Sequence, residues 1–237
     1  GKAGEGFTDT AKTEYAGLIH KSANHLLSIL NDLLDASKLE AGKFEISPER
    51  FSIEEETKLT LDMIRPIAHK AKVDLELIAN DEMPEVFADM RATRQITLNL
   101  VANAIKFSKH SGKVSVSLSR TARNLVLKVS DNGIGMDDVT LQNLGTMFFQ
   151  ANQSNEDTNR GTGLGLSIVK GLVDLHGGSI GFESNLGEGT DVTVTLPLNY
   201  SGGGAMPADP DSSIVFLDAV SKKSDTPFNM QRVRDAG

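Results

Sequence analysis

Three polar residues in the stretch Asn-Leu-Val-Ala-Asn-Ala-Ile-Lys-Phe are spaced to share one side of a helix. Asn99, Asn103 and Lys106 follow one another at intervals of four and three residues, so in a helix they lie one above another. An amide oxygen is a neutral, hard ligand of the kind that Mg²⁺ accepts beside water and phosphate oxygens. A lysine ammonium attracts phosphate. The spacing fits a magnesium–phosphate site, and it also fits the solvated side of an ordinary helix.

A carboxylate, Asp131, stands at the end of a predicted strand and is followed by Asn-Gly-Ile-Gly. In that position it can accept a hydrogen bond from the exocyclic amine of adenine, whereas guanine presents an oxygen there. Gly133 and Gly135 have no side chain, which would let the backbone approach a base closely. The alternative is a hairpin turn, for which Asn-Gly is a strong signal.

A glycine-rich run opens the next predicted helix. Unpaired N–H groups at a helix start bind anions, and glycine lets phosphates come close. The run is neither the dinucleotide fingerprint nor a P-loop, because it lacks the required spacing and a following Gly-Lys-Ser/Thr. A flexible hinge is the alternative. Its residues are Gly161, Thr162, Gly163, Leu164, Gly165 and Leu166.

The polar stretch 136–160, between the Asp131 motif and the glycine-rich run, is long for a simple connection. Phe148 and Phe149 are its apolar anchors. Such a segment can act as a lid that closes over a nucleotide and excludes water. The alternative is an ordinary surface loop tied down by one hydrophobic cluster.

The elements that must position these residues show two periodicities. Apolar residues at steps of three and four predict helices, and strict alternation predicts strands. Their order predicts an α+β fold, a two-layer α/β sandwich with a mixed, mainly antiparallel sheet. The predicted helices span 13–41, 54–70, 91–108 and 164–176, and the predicted strands span 44–53, 73–79, 85–89, 113–120, 124–131, 179–184 and 190–198.

The first predicted helix has a broad apolar side. A helix with such a side cannot bury it alone and needs partner helices. The alternative is a core helix of the domain that follows. The seam at alternating steps of four and three consists of Ile19, Ala23, Leu26, Leu30, Leu33 and Ser37.

Composition excludes several classes of protein. The 237 residues carry a formal net charge of −8, which argues against a surface for nucleic acid or anionic membrane. There are no cysteines, so disulfide frameworks and thiolate metal sites are excluded. No apolar run approaches the length of a membrane span. We expect a cytoplasmic chain without direct membrane contact, which is compatible with a parent protein anchored in the inner membrane.

Taken together, the motifs resemble a known family. Residues 99–107, 131–135, 148–149 and 161–166 are similar, in this order, to the N, G1, F and G2 boxes of the GHKL ATPases, and most similar to those of sensor histidine kinases. Residues 15–46 resemble the second helix of the dimerisation and phosphotransfer hairpin and its exit into the catalytic domain. The amino-acid sequence of this helix is most similar to that of the corresponding helix in cell-cycle kinases of the DivJ/PleC type. The resemblance covers residues 13–198.

This resemblance implies a GHKL fold that binds ATP with Mg²⁺. Asn103 would hold the metal, Asn99 and Lys106 would contact the phosphates, and Phe107 would flank the base. Asp131 would hold the adenine amine, with Thr190 near the adenine. Gly133 and Gly135 would line the base side, and residues 161–166 would cap the triphosphate.

One stretch departs from the family pattern. Before the N box, relatives carry Asp-Pro-x-Arg-Leu-x-Gln, whereas residues 89–95 read Asp-Met-Arg-Ala-Thr-Arg-Gln. Ala92 therefore replaces an arginine, with Arg91 and Arg94 close by. We expect this to alter phosphate or packing contacts without touching a core nucleotide residue.

The resemblance also implies a domain organisation. Residues 1–42 would be a partial hairpin, 43–200 the catalytic ATP-binding domain and 201–237 a flexible tail. The phospho-acceptor histidine of the family sits in a His-Glu-Leu-Arg-Thr-Pro-like motif, and none of the five histidines here has that context. His20 and His25 would lie on the second hairpin helix as packing or surface residues. We therefore expect a chain that lacks the acceptor and does not phosphorylate itself.

Two functions of different classes follow. The first is an enzyme that transfers the γ-phosphoryl group of ATP to a histidine, and onward to an aspartate of a response-regulator receiver domain. The second is a non-catalytic ATP-binding scaffold that docks a receiver. A chaperone or DNA-topology ATPase would not explain the helix 13–41. The expected partners are a receiver domain and, in the full-length protein, a second copy in a four-helix bundle.

Overall fold

The computed structural model describes residues 9–79, 83–144 and 163–202. Phe148, Phe149, Gly161, Thr162 and most of the predicted lid lie outside these residues. The elements are α1 (Asp9–Glu40), β1 (Glu49–Ser52), α2 (Ile53–Ala71), β2 (Asp74–Ala79), β3 (Glu85–Ala88), α3 (Met90–Phe107), β4 (Lys113–Arg120), β5 (Asn124–Asp131), α4 (Asp138–Asn143), α5 (Gly165–Leu175), β6 (Ser179–Asn185) and β7 (Gly189–Pro197).

Five of the strands form one mixed sheet in the order β2-β4-β5-β7-β6. The pair β2–β4 is parallel and the other three pairs are antiparallel. The predicted hairpin 113–120/124–131 is confirmed as β4–β5. The last strand, β7, lies between β5 and β6, which brings the end of β5 beside the start of β7. A separate two-stranded sheet pairs β1 with β3.

The core lies between this sheet and the helices α2, α3 and α5, each of which contacts the sheet. In β4 the buried residues Val114, Val116 and Leu118 alternate with partly exposed serines. Such alternation means that one side of the sheet is covered. α3 contributes Ile96 and Val101, both fully buried, to the same core. The predicted α+β sandwich with a mainly antiparallel sheet is confirmed.

Local signals explain several helix ends. Ser52 caps α2 by accepting a hydrogen bond from the Glu55 N–H, and Lys72 ends it in a left-handed conformation. Asp89 caps α3 through the Ala92 N–H. Two sequence-based predictions were wrong in detail: the strand predicted for 44–53 is confined to Glu49–Ser52, and part of the predicted loop 136–160 forms the short helix α4. Pro48 supplies no N–H donor for a longer strand.

The helix α1 is longer than predicted but joins the domain only near its end. Ala36 is buried, and the Leu39 side chain lies against Gly171 of α5. By contrast, Ile19, Leu26 and Leu34 are more than half exposed. Within the described ranges, no helix is both long and apolar enough to cross a bilayer.

Candidate nucleotide-binding site

A row of polar side chains crosses three neighbouring strands at one end of the sheet. Asp131 of β5 is directly paired with Thr190 of β7, which is directly paired with Ser184 of β6. Directly opposed residues project to the same side of a sheet. Two positions further into the sheet on each of these strands, on the same side, the side chain is apolar. The polar row therefore borders a row of three apolar side chains on the side of the sheet that the helices cover. These apolar residues are Val129, Val192 and Phe182.

The carboxylate of Asp131 is partly buried and held by backbone donors. Its Oδ1 accepts a hydrogen bond of 2.8 Å from the Gly133 N–H, and the nearby Thr190 backbone N–H also favours the ionised form. Burial raises the pKa of Asp131; the bonds from Gly133 and Thr190 oppose this rise, and the charge of Asp191 adds to it. An additional donor, such as an exocyclic amine, would stabilise the ionised form in this setting.

The loop after Asp131 is clamped between α3 and the β6–β7 turn. The Ile134 N–H donates to the Phe107 carbonyl at 3.2 Å, and a Cβ on Gly133 would overlap that same carbonyl. Gly135 has φ of 64°, and a Cβ there would overlap the Asn185 carbonyl. At both positions, therefore, any side chain would overlap the neighbouring backbone, so packing alone requires glycine. The sequence analysis had suggested only the close approach of a base.

The polar side of α3 connects this loop with the glycine-rich helix start. Near its middle, Asn99 donates from Nδ2 to the Gly165 carbonyl at 3.3 Å. At its end, Phe107 meets Gly133 and Ile134 as described above. These two contacts are separated by eight residues, or about 12 Å of helix rise. Asn103 lies between them at helical spacing, so it faces the space that the two contacts bound.

The side chains of this segment are open to solvent. Phe107 is 43% exposed, and the Lys106 Nζ lies 5.1 Å from the centre of its ring. Asn103 is partly exposed. Among the described residues, it makes no side-chain hydrogen bond. Its amide oxygen is the kind of donor that Mg²⁺ takes beside phosphate oxygens and water.

The described part of the glycine-rich run forms the first turn of α5. Gly163 has φ of 72°, a left-handed conformation that favours glycine. Leu164 is 2% exposed and anchors the turn in the core, and Leu166 packs against that core. The N-terminal residue of α5 supplies no side-chain cap. The first N–H groups of a helix without such a cap are available to an anion.

Of the sequence-predicted residues, the structure thus brings together Asp131, Gly133 and Thr190, and separately Asn99 and Gly165. Phe107 joins α3 to the first group. Ser184 was missed by the sequence reasoning, although its hydroxyl contacts Thr190 Oγ1 at 3.0 Å. Only the register of β6 against β7 reveals this contact, and a serine in a strand carries no signal of its own.

Known proteins are similar to this chain over most of its length. The model of the family described as histidine kinase-, DNA gyrase B-, and HSP90-like ATPase matches residues 88–200. An uncharacterized sensor-like histidine kinase of Rhizobium meliloti is 43% identical over 189 residues, which is 80% of this chain and 36% of that protein. The histidine protein kinase DivJ of Caulobacter vibrioides is 43% identical over 185 residues, which is 78% of this chain and 31% of DivJ.

A solved structure shares the fold over most of the described chain. Full-length ShkA, crystallised in complex with AMPPNP, superposes with a TM-score of 0.72 at 27% identity, covering 84% of this chain and 41% of ShkA. The chain spans about a third of the length of the curated relatives named above. By these matches, residues 88–200 form a domain of the histidine kinase-, DNA gyrase B- and HSP90-like ATPase family, and about four fifths of the chain is similar to histidine kinases.

Proposed function

We propose that this chain is the ATP-binding catalytic part of a sensor histidine kinase. The whole kinase transfers the γ-phosphoryl group of ATP to a histidine, and from there to an aspartate of a response-regulator receiver domain. The observation that carries the proposal is the partly buried carboxylate of Asp131, fixed by the Gly133 N–H at the end of a strand whose apolar residues are buried. It lies beside a helix that carries Asn99, Asn103 and Lys106 on one side.

At the base end, Asp131 accepts the adenine amine and Thr190 lies beside it. Gly133 and Gly135 keep the intervening loop close to α3 and the β6–β7 turn, which preserves the shape of the adenine pocket. Phe107 flanks the base, because its ring is exposed at the end of α3, next to the loop that its carbonyl holds.

At the phosphate end, the residues fit a nucleotide with Mg²⁺. Asn103 would hold the metal, which would neutralise charge on the phosphates. Asn99 is positioned by its bond to Gly165, and Lys106 adds a positive charge. The first turn of α5 offers N–H groups to the triphosphate. Gly161 and Thr162, outside the described residues, complete the run 161–166 that would cap the triphosphate.

The domain organisation is part of the proposal. Residues 1–42 are the end of a dimerisation and phosphotransfer hairpin, 43–200 are the catalytic domain, and 201–237 are a tail. The partners are a receiver domain and a second copy of the full-length protein. His20 is exposed on α1 and lacks an acceptor motif, and the side chain of His25 falls outside those described. In this proposal, the histidine that receives the phosphoryl group is none of the five histidines of this chain, because none has the acceptor motif.

The site is tested by calorimetric titration of the chain with Mg-ATP. Asp131→Ala and Asn103→Ala should each abolish detectable binding. The matched control is Asp191→Ala, which removes an equal charge from the neighbouring strand. Asp191 pairs with Ser130, so it projects to the opposite side of the sheet, where it contacts Lys128 at 2.7 Å. The control should bind Mg-ATP as the wild type does, and unchanged titrations for both site variants would remove the assignment.

The acceptor is tested separately with labelled ATP. The chain incubated alone with Mg-ATP should acquire no acid-labile phosphate, because it lacks the histidine motif that receives it. Acid-labile label on His20 or His25, located by peptide mapping, would contradict this part of the proposal while leaving the nucleotide site intact.

A further inference from the structure

Ser184 lies at the junction of three backbone segments around the proposed adenine position. Its Oγ is 2.7 Å from the Gly189 carbonyl oxygen, 3.0 Å from Thr190 Oγ1 and 2.9 Å from the Met136 N–H. It therefore joins the end of the Asp131 loop to both strands of the β6–β7 hairpin.

The direction of each of these hydrogen bonds follows from counting protons. A serine hydroxyl donates one proton and accepts two. The Gly189 carbonyl has no proton, and at 2.7 Å two oxygens without a proton between them repel, so the Ser184 proton points to Gly189. The Met136 N–H occupies one lone pair of Ser184. The contact with Thr190 then requires a proton, and only Thr190 can supply it.

Thr190 is thereby left with acceptor lone pairs alone. It is directly paired with Asp131, on the same side of the sheet, so a hydroxyl that can only accept lies beside a carboxylate that also accepts. Adenine presents an amine at position 6, whereas guanine and hypoxanthine present a carbonyl oxygen. Two neighbouring acceptors attract the amine and repel the carbonyl.

We propose that Ser184 is a positioning residue for base selection: by taking the Thr190 proton, it makes Thr190 an obligate acceptor and so favours adenine over 6-oxopurine nucleotides. The inference rests on the proposed function, because it assumes that a purine occupies the space in front of Asp131. It adds a residue and a physical rule to the site. Asp131 repels a carbonyl by charge, and Ser184 prevents Thr190 from offsetting that repulsion.

The test compares three magnesium-bound nucleotides on the whole chain: ATP, inosine triphosphate, and purine riboside triphosphate, which carries only hydrogen at position 6. In Ser184→Ala the Thr190 hydroxyl is free to turn and donate to a carbonyl. The preference for ATP over inosine triphosphate should therefore fall about tenfold, as for a hydrogen-bonding partner exchanged at one base edge. Affinity for purine riboside triphosphate should change less than about threefold, since this base makes no hydrogen bond at that position.

Further variants separate selection from folding. Ser184→Thr keeps a hydroxyl and should keep the wild-type preference. Ser184→Cys keeps the approximate volume with a weak donor and acceptor, and should behave as Ser184→Ala even if the alanine variant folds poorly. In a Thr190→Val background, Ser184→Ala should leave the preference unchanged, because no hydroxyl remains to be oriented.

Each outcome decides one question. Equal weakening of all three nucleotides in Ser184→Ala would show a merely structural role and overturn the inference. So would an unchanged preference in both Ser184→Ala and Ser184→Cys while the wild type binds ATP. Failure of the wild-type chain to bind any of the three would instead overturn the proposed function, and the inference with it.

Discussion

The two ends of α3 use the same kinds of polar residue in opposite ways. At the N-terminal end, Asp89 accepts hydrogen bonds from the Ala92 N–H at 3.0 Å and the Ser47 N–H at 2.9 Å, while its own N–H donates to His176 Nε2 at 3.3 Å. At the C-terminal end, Asn103 and Lys106 are partly or fully exposed, and within the ranges that the structure covers neither donates to nor accepts from another side chain.

A second buried contact strengthens the N-terminal end. Glu56 of α2 is 5% exposed and accepts two hydrogen bonds from Arg94, at 2.6 Å from Nε and 3.0 Å from Nη2. The Thr60 hydroxyl lies 3.2 Å from Oε1, but its single proton points to the nearer Glu56 carbonyl oxygen at 2.8 Å. A buried carboxylate of this kind is satisfied by its own protein. Arg94 therefore packs α2 against α3.

The difference shows how to separate structural from ligand-binding polar residues. Asp89, Glu56 and His176 are fully enclosed and saturated by protein partners, so they have nothing to offer a ligand. Asp131 is also held by backbone donors, but its pKa is raised by burial and its row opens at the end of the sheet. Variants at the first group should change the free energy of unfolding, and variants at the second should change nucleotide affinity.

The largest stability effect is expected for Arg94→Ala. Removing the guanidinium leaves the Glu56 carboxylate buried without its partner, and should lower the free energy of unfolding by about 3 kcal/mol. The matched control is Arg91→Ala, an exposed arginine on the same helix, which should change it by less than about 0.5 kcal/mol. Urea unfolding of both variants provides the measurement. Equal changes in the free energy of unfolding for the two variants would contradict a structural role for the polar residues at the N-terminal end of α3.

A smaller loss of folding stability is expected when the pH is lowered and His176 becomes protonated. This side chain is 2% exposed; burial lowers its pKa below the usual 6.5, while the bond to the Leu172 carbonyl and the charge of Asp89 oppose the decrease. Its Nδ1 lies 2.7 Å from the Leu172 carbonyl, and Nε2 accepts from Asp89, so the neutral ring is the form that fits. Tyr200 is the remaining titratable neighbour, with its ring centre at 5.8 Å.

The sign of this pH dependence is fixed by linkage. Because the folded pKa is depressed, the unfolded chain binds more protons below pH 6.5, and stability falls as the pH falls through that value. Each unit of depression corresponds to roughly 1.4 kcal/mol. His176→Gln should flatten the urea-unfolding profile between pH 7 and pH 5, with His110→Gln as the control that does not. A wild-type profile as flat as that of His176→Gln would contradict the assignment.

The smallest effect on stability is expected for Asp131→Asn, at the end of β5 in the proposed nucleotide site. The amide can keep the bond from Gly133 and carries no charge, so the cost of burying an ion disappears. The free energy of unfolding without nucleotide should stay within about 0.5 kcal/mol of wild type or increase, while ATP affinity is lost. A clear loss of stability in this variant would mean that Asp131 is a structural residue like Asp89, and would erase the difference between the two ends of α3.

Much of this arrangement was predictable from the sequence because it is local. The alternation in 113–120 and 124–131 predicted the β4–β5 hairpin, and the Asp131 motif was correctly placed at the end of a strand. Spacing alone put Asn99, Asn103 and Lys106 on one side of α3. Other features join distant segments and leave no local pattern. The His176–Asp89 bond spans 87 positions, and the Arg94–Glu56 pair spans 38.

By itself, then, the sequence predicted most of the elements and proposed which residues could meet a nucleotide, since helix and strand periodicity and glycine-rich motifs act over a few neighbours. The tertiary structure decided which polar groups are already saturated. It inserted β7 between β5 and β6, and so set Thr190 between Asp131 and Ser184. The physical reason is that strand register and hydrogen-bond satisfaction depend on the core as a whole, through contacts that no short stretch of chain encodes.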